Sequence, residues 1–153
     1  MEKEIPRRRS LLRDIARQSK DQRVSAAQQY VSNVSAGRKP PFAPLIVVVD
    51  EFNELMLSGG ADAQKFEQRI QQITQTGRST LVHLLLATQR PDVRVIRGAI
   101  KANLDSRIAM RLPTVADSMT ILGRKGAEAL LGKGDLIFQP GGGVAMRLQG
   151  YSA

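Results

Sequence analysis

The segment Leu45-Ile46-Val47-Val48-Val49 runs straight into Asp50-Glu51, and no other junction constrains the chain as tightly. An aliphatic run rich in β-branched residues reads as a strand buried on both faces, as in a parallel sheet. Its carboxylates then emerge at the strand's C-terminal end, where ligands bind in open α/β sheets. There, one carboxylate can orient the water shell of a metal ion while its neighbour polarises an attacking water, the Walker B arrangement of a nucleotide hydrolase. The competing reading is that the two acids simply open the next helix and are stabilised by its dipole.

A second apolar run, 81–86, also ends in polar residues, Thr88, Gln89 and Arg90, followed by Pro91. Two such strands, each delivering polar groups at its C-terminal end, outline one site. Gln89 there either senses a γ-phosphate and orients water or is an ordinary turn residue. His83, in mid-strand, reads as a hydrogen-bonded structural histidine. A helix with Phe66, Ile70 and Ile73 on one face is expected over about 62–76. A third strand is expected at 106–112, with helices at about 114–122 and 124–131. The runs "DLIFQP" and "VAMRLQG" flank Gly141-Gly142-Gly143 and predict an antiparallel hairpin. Strands alternating with helices point to a parallel α/β sheet.

Residues 7–31 read as a basic helix broken near Ser19, with a thin apolar stripe of Leu11, Leu12, Ile15, Val24, Ala27 and Val31. "SAGRKPPFAP" is a connector, because Gly37 and three prolines end any helix. The expected division is therefore a basic helical segment and linker over 1–40, then an α/β domain over 41–153.

Composition removes several classes. The 153 residues include no cysteine and one histidine, which argues against disulfide frameworks and zinc enzymes and suits a reducing, cytoplasmic setting. No apolar run approaches the roughly 20 residues a membrane span needs. The net charge is +9, with ten Lys/Arg against four Asp/Glu in residues 1–40. Such a balance suits nucleic acid or an anionic surface. With no Trp and 4% aromatics, stacking on bases is not expected, so contacts should go to phosphates.

"LIVVVDEFNELM", "LLLATQRPDVRVIRGAIKANLDSRIAMRL", "ADSMTILGRKGAEALLGKGDL" and the closing hairpin together resemble the FtsK/SpoIIIE family of hexameric DNA translocases over roughly residues 45–150. The resemblance implies an α/β fold of a partial RecA-like (P-loop NTPase) parallel sheet with flanking helices and a C-terminal β-hairpin. It also implies a motor that uses ATP and Mg²⁺ to pump double-stranded DNA. By position, Asp50 would hold the Mg²⁺ through its water shell, Glu51 would activate water, and Gln89 would act at the γ-phosphate. Arg78 falls where the family places an arginine finger that reaches a neighbouring subunit's nucleotide. A guanidinium just before a sheet strand can neutralise transition-state charge in trans, although it also reads as a solvated helix end. Arg90, Arg94, Arg97 and Lys101 fall where the family approaches the DNA backbone, and four cations in twelve residues suit phosphate tracking.

Two departures qualify the resemblance. The sequence contains no G-x-x-x-x-G-K-[ST], the loop whose N–H groups and lysine cradle phosphates. The chain is therefore expected to be the C-terminal part of a motor whose other half completes the nucleotide site, and to be inactive alone. In addition, Val115 and Met119 stand where the family commonly has cations flanking Asp-Ser. Alternative readings are a non-catalytic piece that binds nucleic acid or docks a partner, and a protein-secretion ATPase of the same superfamily. For the fold, strands 45–49 and 81–86 should lie side by side and parallel. The strand at 106–112 should stand apart from 81–86, or close up against it, where its usual neighbour is missing.

Overall fold

Stiff, β-branched Val47, Val48 and Val49 favour extended backbone, and they form β1 (Leu45–Val49) in the computed structural model, which describes residues 3–18, 26–38, 42–96 and 98–151. β1 pairs in parallel with β2 (Val82–Leu86), in a register that sets Leu45 against Val82 and Val49 against Leu86. The expected side-by-side parallel pair is thus present. The chain divides into two compact units, residues 1–50 with 68–87, and residues 51–67 with 88–153. The boundary expected at 40/41 does not coincide with this division.

In the first unit, α1 (Glu4–Gln18) and α2 (Ala26–Ser35) join β1, β2 and the C-terminal part of α4 (Gly60–Thr80). Pro6 sits in the first turn of α1, where a missing N–H costs nothing. The expected break near Ser19, and Val24 of the stripe, lie outside the described residues. Leu12, Tyr30, Phe42 and Leu81 form one core cluster, and a leucine buried as fully as Leu12 contributes about 1.5–3 kcal/mol. Tyr30 stacks on Phe42 with ring centroids 5.3 Å apart and donates its hydroxyl to the Phe42 carbonyl. The buried Arg8 guanidinium lies 4.6 Å from the Phe42 ring centroid and bonds Glu4 at 2.8 Å, so its charge is partnered.

Ile5 and Ile73 cover one face of the parallel pair, packing with Val82, Leu45, Val47 and Leu84. The opposite face is open: Ile46, Val48 and Leu85 are 69%, 60% and 52% exposed, and His83 is exposed beside them. The expectation of burial on both faces is corrected here. The side chains alternate between faces along each strand, and the helices of this unit cover only the Leu45/Val47 face.

One residue, Leu81, connects α4 to β2, and it adopts left-handed backbone with φ 56°. Gly77, one turn earlier, is a packing requirement, since a Cβ there would lie 2.4 Å from the Val82 carbonyl oxygen. α4 itself extends beyond the predicted 62–76 at both ends.

The second unit contains α3 (Phe52–Leu57), α5 (Gly98–Asn103), β3 (Arg107–Met110), α6 (Val115–Leu122), β4 (Asp135–Gln139) and β5 (Met146–Gln149). β4 and β5 form the predicted antiparallel hairpin. β3 pairs antiparallel with β4, so the strand expected at 106–112 heads a separate three-stranded sheet. Ala109, Leu122, Ala127 and Leu130 form the core beneath it, with Ile137 packed against them. Thr114 caps α6 by accepting the Asp117 N–H at 3.1 Å, and Gly123 closes the helix in left-handed backbone with φ 72°. The helix expected over 124–131 is only a single 3₁₀ turn at Ala127–Ala129. Gly126, at φ 135°, cannot continue a helix from Gly123. Ser118, fully buried, explains part of the "DSMTILG" pattern. Its hydroxyl donates to the Arg124 carbonyl at 2.8 Å and accepts the Ala127 N–H at 3.1 Å, tying α6 to the turn after it.

Candidate functional site

β1 ends and the chain turns into α3 within two residues, Asp50 and Glu51. Glu51 adopts left-handed backbone (φ 48°, ψ 45°), a conformation that costs a non-glycine residue about 1–3 kcal/mol. Its carbonyl accepts the Glu54 N–H at 3.0 Å and starts α3, but its side chain makes no hydrogen bond to that helix. Instead, Glu51 Oε1 accepts the Thr88 hydroxyl at 2.8 Å and Oε2 accepts the Gln89 N–H at 3.1 Å. These contacts bear on how the acid pair is used. Glu51 faces the segment after β2 and does not cap its own helix.

Asn53, which the sequence did not single out, and Thr88, read there only as one of the polar residues ending the second strand, complete this cluster. Asn53, 3% exposed on α3, donates Nδ2 to the Arg90 carbonyl, while its Oδ1 has no hydrogen-bond partner. The Thr88 hydroxyl accepts the Arg90 N–H at 3.2 Å and also lies 3.3 Å from the Arg90 carbonyl oxygen. The available signals were weak: a hydroxyl residue beside the glutamine at a strand end, and an amide inside the apolar run "FNELML". An open cavity of about 530 Å³ is lined by Glu51, Asn53, Glu54, Gln89, Arg90 and Asp92.

Asp50 is exposed at the end of β1, and the Gln89 side chain is exposed one residue beyond Thr88. Mg²⁺ keeps much of its water and takes one or two carboxylates besides substrate phosphates. A single exposed carboxylate at Asp50 fits that outer-sphere role. Among the described residues, no group of three His, Cys, Asp or Glu could hold a metal directly. Arg78 lies in the last turn of α4, three residues before Leu81.

The four cations expected along a DNA track have different surroundings. Arg90 is exposed. Arg94 is also exposed but pairs with Asp92, its NH2 lying 2.6 Å from Oδ2, and this hydrogen bond holds the Asp92 carboxyl below its ordinary range. Arg97 lies outside the described residues. Lys101 Nζ donates to the Thr120 carbonyl at 2.9 Å and, at 3.4 Å, to that of Met119, both in the last turn of α6. Burial, and then the nearby charge of Arg107, lower the Lys101 pKa. Its ammonium is thus directed at protein. Val115 and Met119 are both exposed on α6.

The FtsK/SpoIIIE family pattern matches residues 1–93. A DNA translocase FtsK from Caulobacter vibrioides is 45% identical over 113 residues, covering 74% of this chain and 13% of that protein. The DNA translocase FtsK of Helicobacter pylori is 41% identical over 140 residues, covering 92% of this chain and 15% of its own length. The chain therefore spans about one seventh of these curated relatives. Among solved structures, the pCW3 conjugation coupling protein TcpA, in its monomer form with ATPγS, superposes with a TM-score of 0.78 at 28% identity, over 97% of this chain and 41% of that one. The cytoplasmic domain of the type VII secretion ATPase EccC from Thermomonospora curvata gives 0.75 at 27% identity, over 96% of this chain and 16% of that one. The fold is that of part of a P-loop ATPase motor domain. No helix among the described residues is long and apolar enough to cross a membrane.

Proposed function

The chain belongs to the FtsK/SpoIIIE family, and we propose that it supplies the catalytic-carboxylate part of an ATP-driven motor that translocates double-stranded DNA. The observation that carries this reading is the Glu51 carboxylate, held by Thr88 and Gln89 in unusual backbone geometry when it could have capped α3. Glu51 is the general base toward the attacking water. Asp50 holds the water shell of Mg²⁺, and Gln89 reads the γ-phosphate. Arg78 reaches the nucleotide of the adjacent subunit in a hexamer, where its planar, permanent charge stabilises the transition state. The phosphate cradle comes from a half of the motor carrying G-x-x-x-x-G-K-[ST], which this sequence lacks. Arg90 provides the main backbone contact to DNA, joined by Arg97 and by Arg94 once Asp92 gives it up. The ammonium of Lys101 is committed to α6, so we assign it the support of that helix before any contact with the track.

A second reading has an observation in its favour. Val115 and Met119 present apolar surface on α6 where the resemblance leads one to expect cations, which suits a polypeptide substrate better than a phosphate backbone. The test joins these residues to a half that supplies the phosphate loop and measures ATP hydrolysis with duplex DNA and with substrate peptide. Stimulation by DNA, lost by a factor of about 10² or more in Glu51→Gln while ATP still binds, is the expected result. Stimulation by peptide alone would make the chain part of a secretion motor. No hydrolysis in any combination would leave a docking or nucleic-acid-binding piece. The 153 residues by themselves should hydrolyse ATP at background rate.

A further inference from the structure

The charge on α1 is unevenly arranged around the helix, which carries five arginines against two acids. Ile5, Arg8 and Leu12 form its buried face. Arg9, Arg13 and Arg17 are exposed and recur every four residues, so they form a row along one flank. Each step rises about 6 Å and turns about 40°, which makes the row about 12 Å long. The two acids lie off this row. Glu4 is held by Arg8 at 2.8 Å and by Arg7 at 3.1 Å, and Asp14 reaches Arg17 only at 4.0 Å, with both side chains exposed. A surface pair of that kind contributes little. Arg9 and Arg13 make no ion pair among the described residues.

About 12 Å of duplex axis carries three or four phosphates on each strand, so the row matches a phosphate track in both charge and length. The planar forks of arginine suit phosphate oxygens. A lipid surface is the rival anion, and α1 is poorly built for it. Interfacial helices bury an apolar face among lipids. That face of α1 is already occupied in the core, where Leu12 packs with Tyr30, Phe42 and Leu81, and Ile5 with Ile73 and Val82. Among the described residues, no large apolar side chain of α1 is exposed. We propose that Arg9, Arg13 and Arg17 form a second contact to duplex DNA, on the first unit and independent of Arg90 on the second. The contact is to phosphates and carries no sequence preference. It rests on the reading of duplex DNA as the substrate.

The test measures binding of the chain to a mixed-sequence duplex by fluorescence anisotropy across a salt series. The double variant Arg9→Gln with Arg13→Gln should reduce the salt slope by about two, and adding Arg17→Gln should bring the reduction to about three. Glutamine keeps good helix propensity, so the melting temperature should stay close to wild type. The matched control is Lys3→Gln with Arg7→Gln. Both residues are exposed, Lys3 one turn before Arg7, and Arg7 sits about 160° round the helix from Arg9. This pair removes the same charge and should leave the slope nearly unchanged. Equal slope losses from the two doubles would overturn the proposal, because net charge and not the row would then be responsible. So would an unchanged slope in the triple variant, or capture of the chain by phosphatidylserine vesicles with no binding to duplex. ATP turnover of the completed motor that ignores duplex DNA would instead sink the motor reading, and the salt slopes of the chain would still decide the row.

Discussion

In the first unit a helix passes so close to a strand that Gly77 leaves no room for a Cβ beside the Val82 carbonyl, and aliphatic clusters cover one side of a two-stranded parallel sheet. In the second, several charged and hydroxyl side chains are held by hydrogen bonds. Asp135 accepts from Arg147 at 2.6 Å and from the Leu131 N–H at 2.8 Å, Glu51 from Thr88 and Gln89, and Ser118 bonds at both ends of a turn. Close packing responds to volume and hardly at all to acid or salt. Charge-assisted hydrogen bonds respond to acid and to direction, and the side chains on them can exchange partners. The candidate carboxylate lies in the unit of the second kind.

The comparison breaks first at Gly77. Gly77→Ala puts a methyl group into the Val82 carbonyl and should cost about 1–3 kcal/mol, or more if α4 cannot shift, with equal loss at pH 7 and pH 4 in denaturant melts. A neutral effect would mean that this unit is not limited by volume.

Acid should act on the second unit through Asp135. The Arg147 hydrogen bond, with that of the Leu131 N–H, holds the Asp135 carboxyl down to about 2 from an ordinary 3.8. A carboxyl depressed on folding stabilises the protein above its unfolded pKa, and that stability is lost as pH falls through the folded value. Melting temperature should therefore drop between pH 4 and 2, and Asp135→Asn should be less stable at pH 7 with a flatter profile across that window. Parallel profiles would remove Asp135 as the source of acid sensitivity.

Smaller effects sharpen the contrast within the second unit. Thr114→Ala removes the cap of α6 and should cost about 1 kcal/mol, with Thr114→Ser close to wild type in the same melts. Smallest of all is the separation of two cations of equal charge. Arg90→Ala should reduce the salt slope of DNA binding by about one without moving the melting temperature. Lys101→Ala should leave the slope nearly unchanged and lower the melting temperature slightly, because its ammonium serves the Met119 and Thr120 carbonyls. Equal salt slopes for the two variants would return Lys101 to the track.

Both strands of the parallel pair, their pairing and the closing hairpin were legible because period-2 and aliphatic signals survive in any context. The open face of that pair was not, since an all-aliphatic run reads the same whether one side or both sides are covered. α3 and α5 have six residues each, too few turns for a helical period to register. The acid pair was legible as a choice between a site and a helix start, but the direction of the Glu51 carboxylate, toward Thr88 and Gln89, was not. Charge is visible in a sequence but its commitment is not. Arg90, Arg94 and Lys101 read alike, yet one is exposed, one is paired two residues away and one is held by carbonyls eighteen and nineteen positions along the chain.

The single-residue joint at Leu81 has a mechanical consequence. Each residue of slack gives a chain at most about 3.8 Å of play, and here the one available residue is itself buried by its side chain and fixed in left-handed backbone. A joint of this kind transmits torque and does not hinge. The end of α4 and the start of β2 must rotate as one lever, so Arg78, one turn from the pivot, is geared to β2.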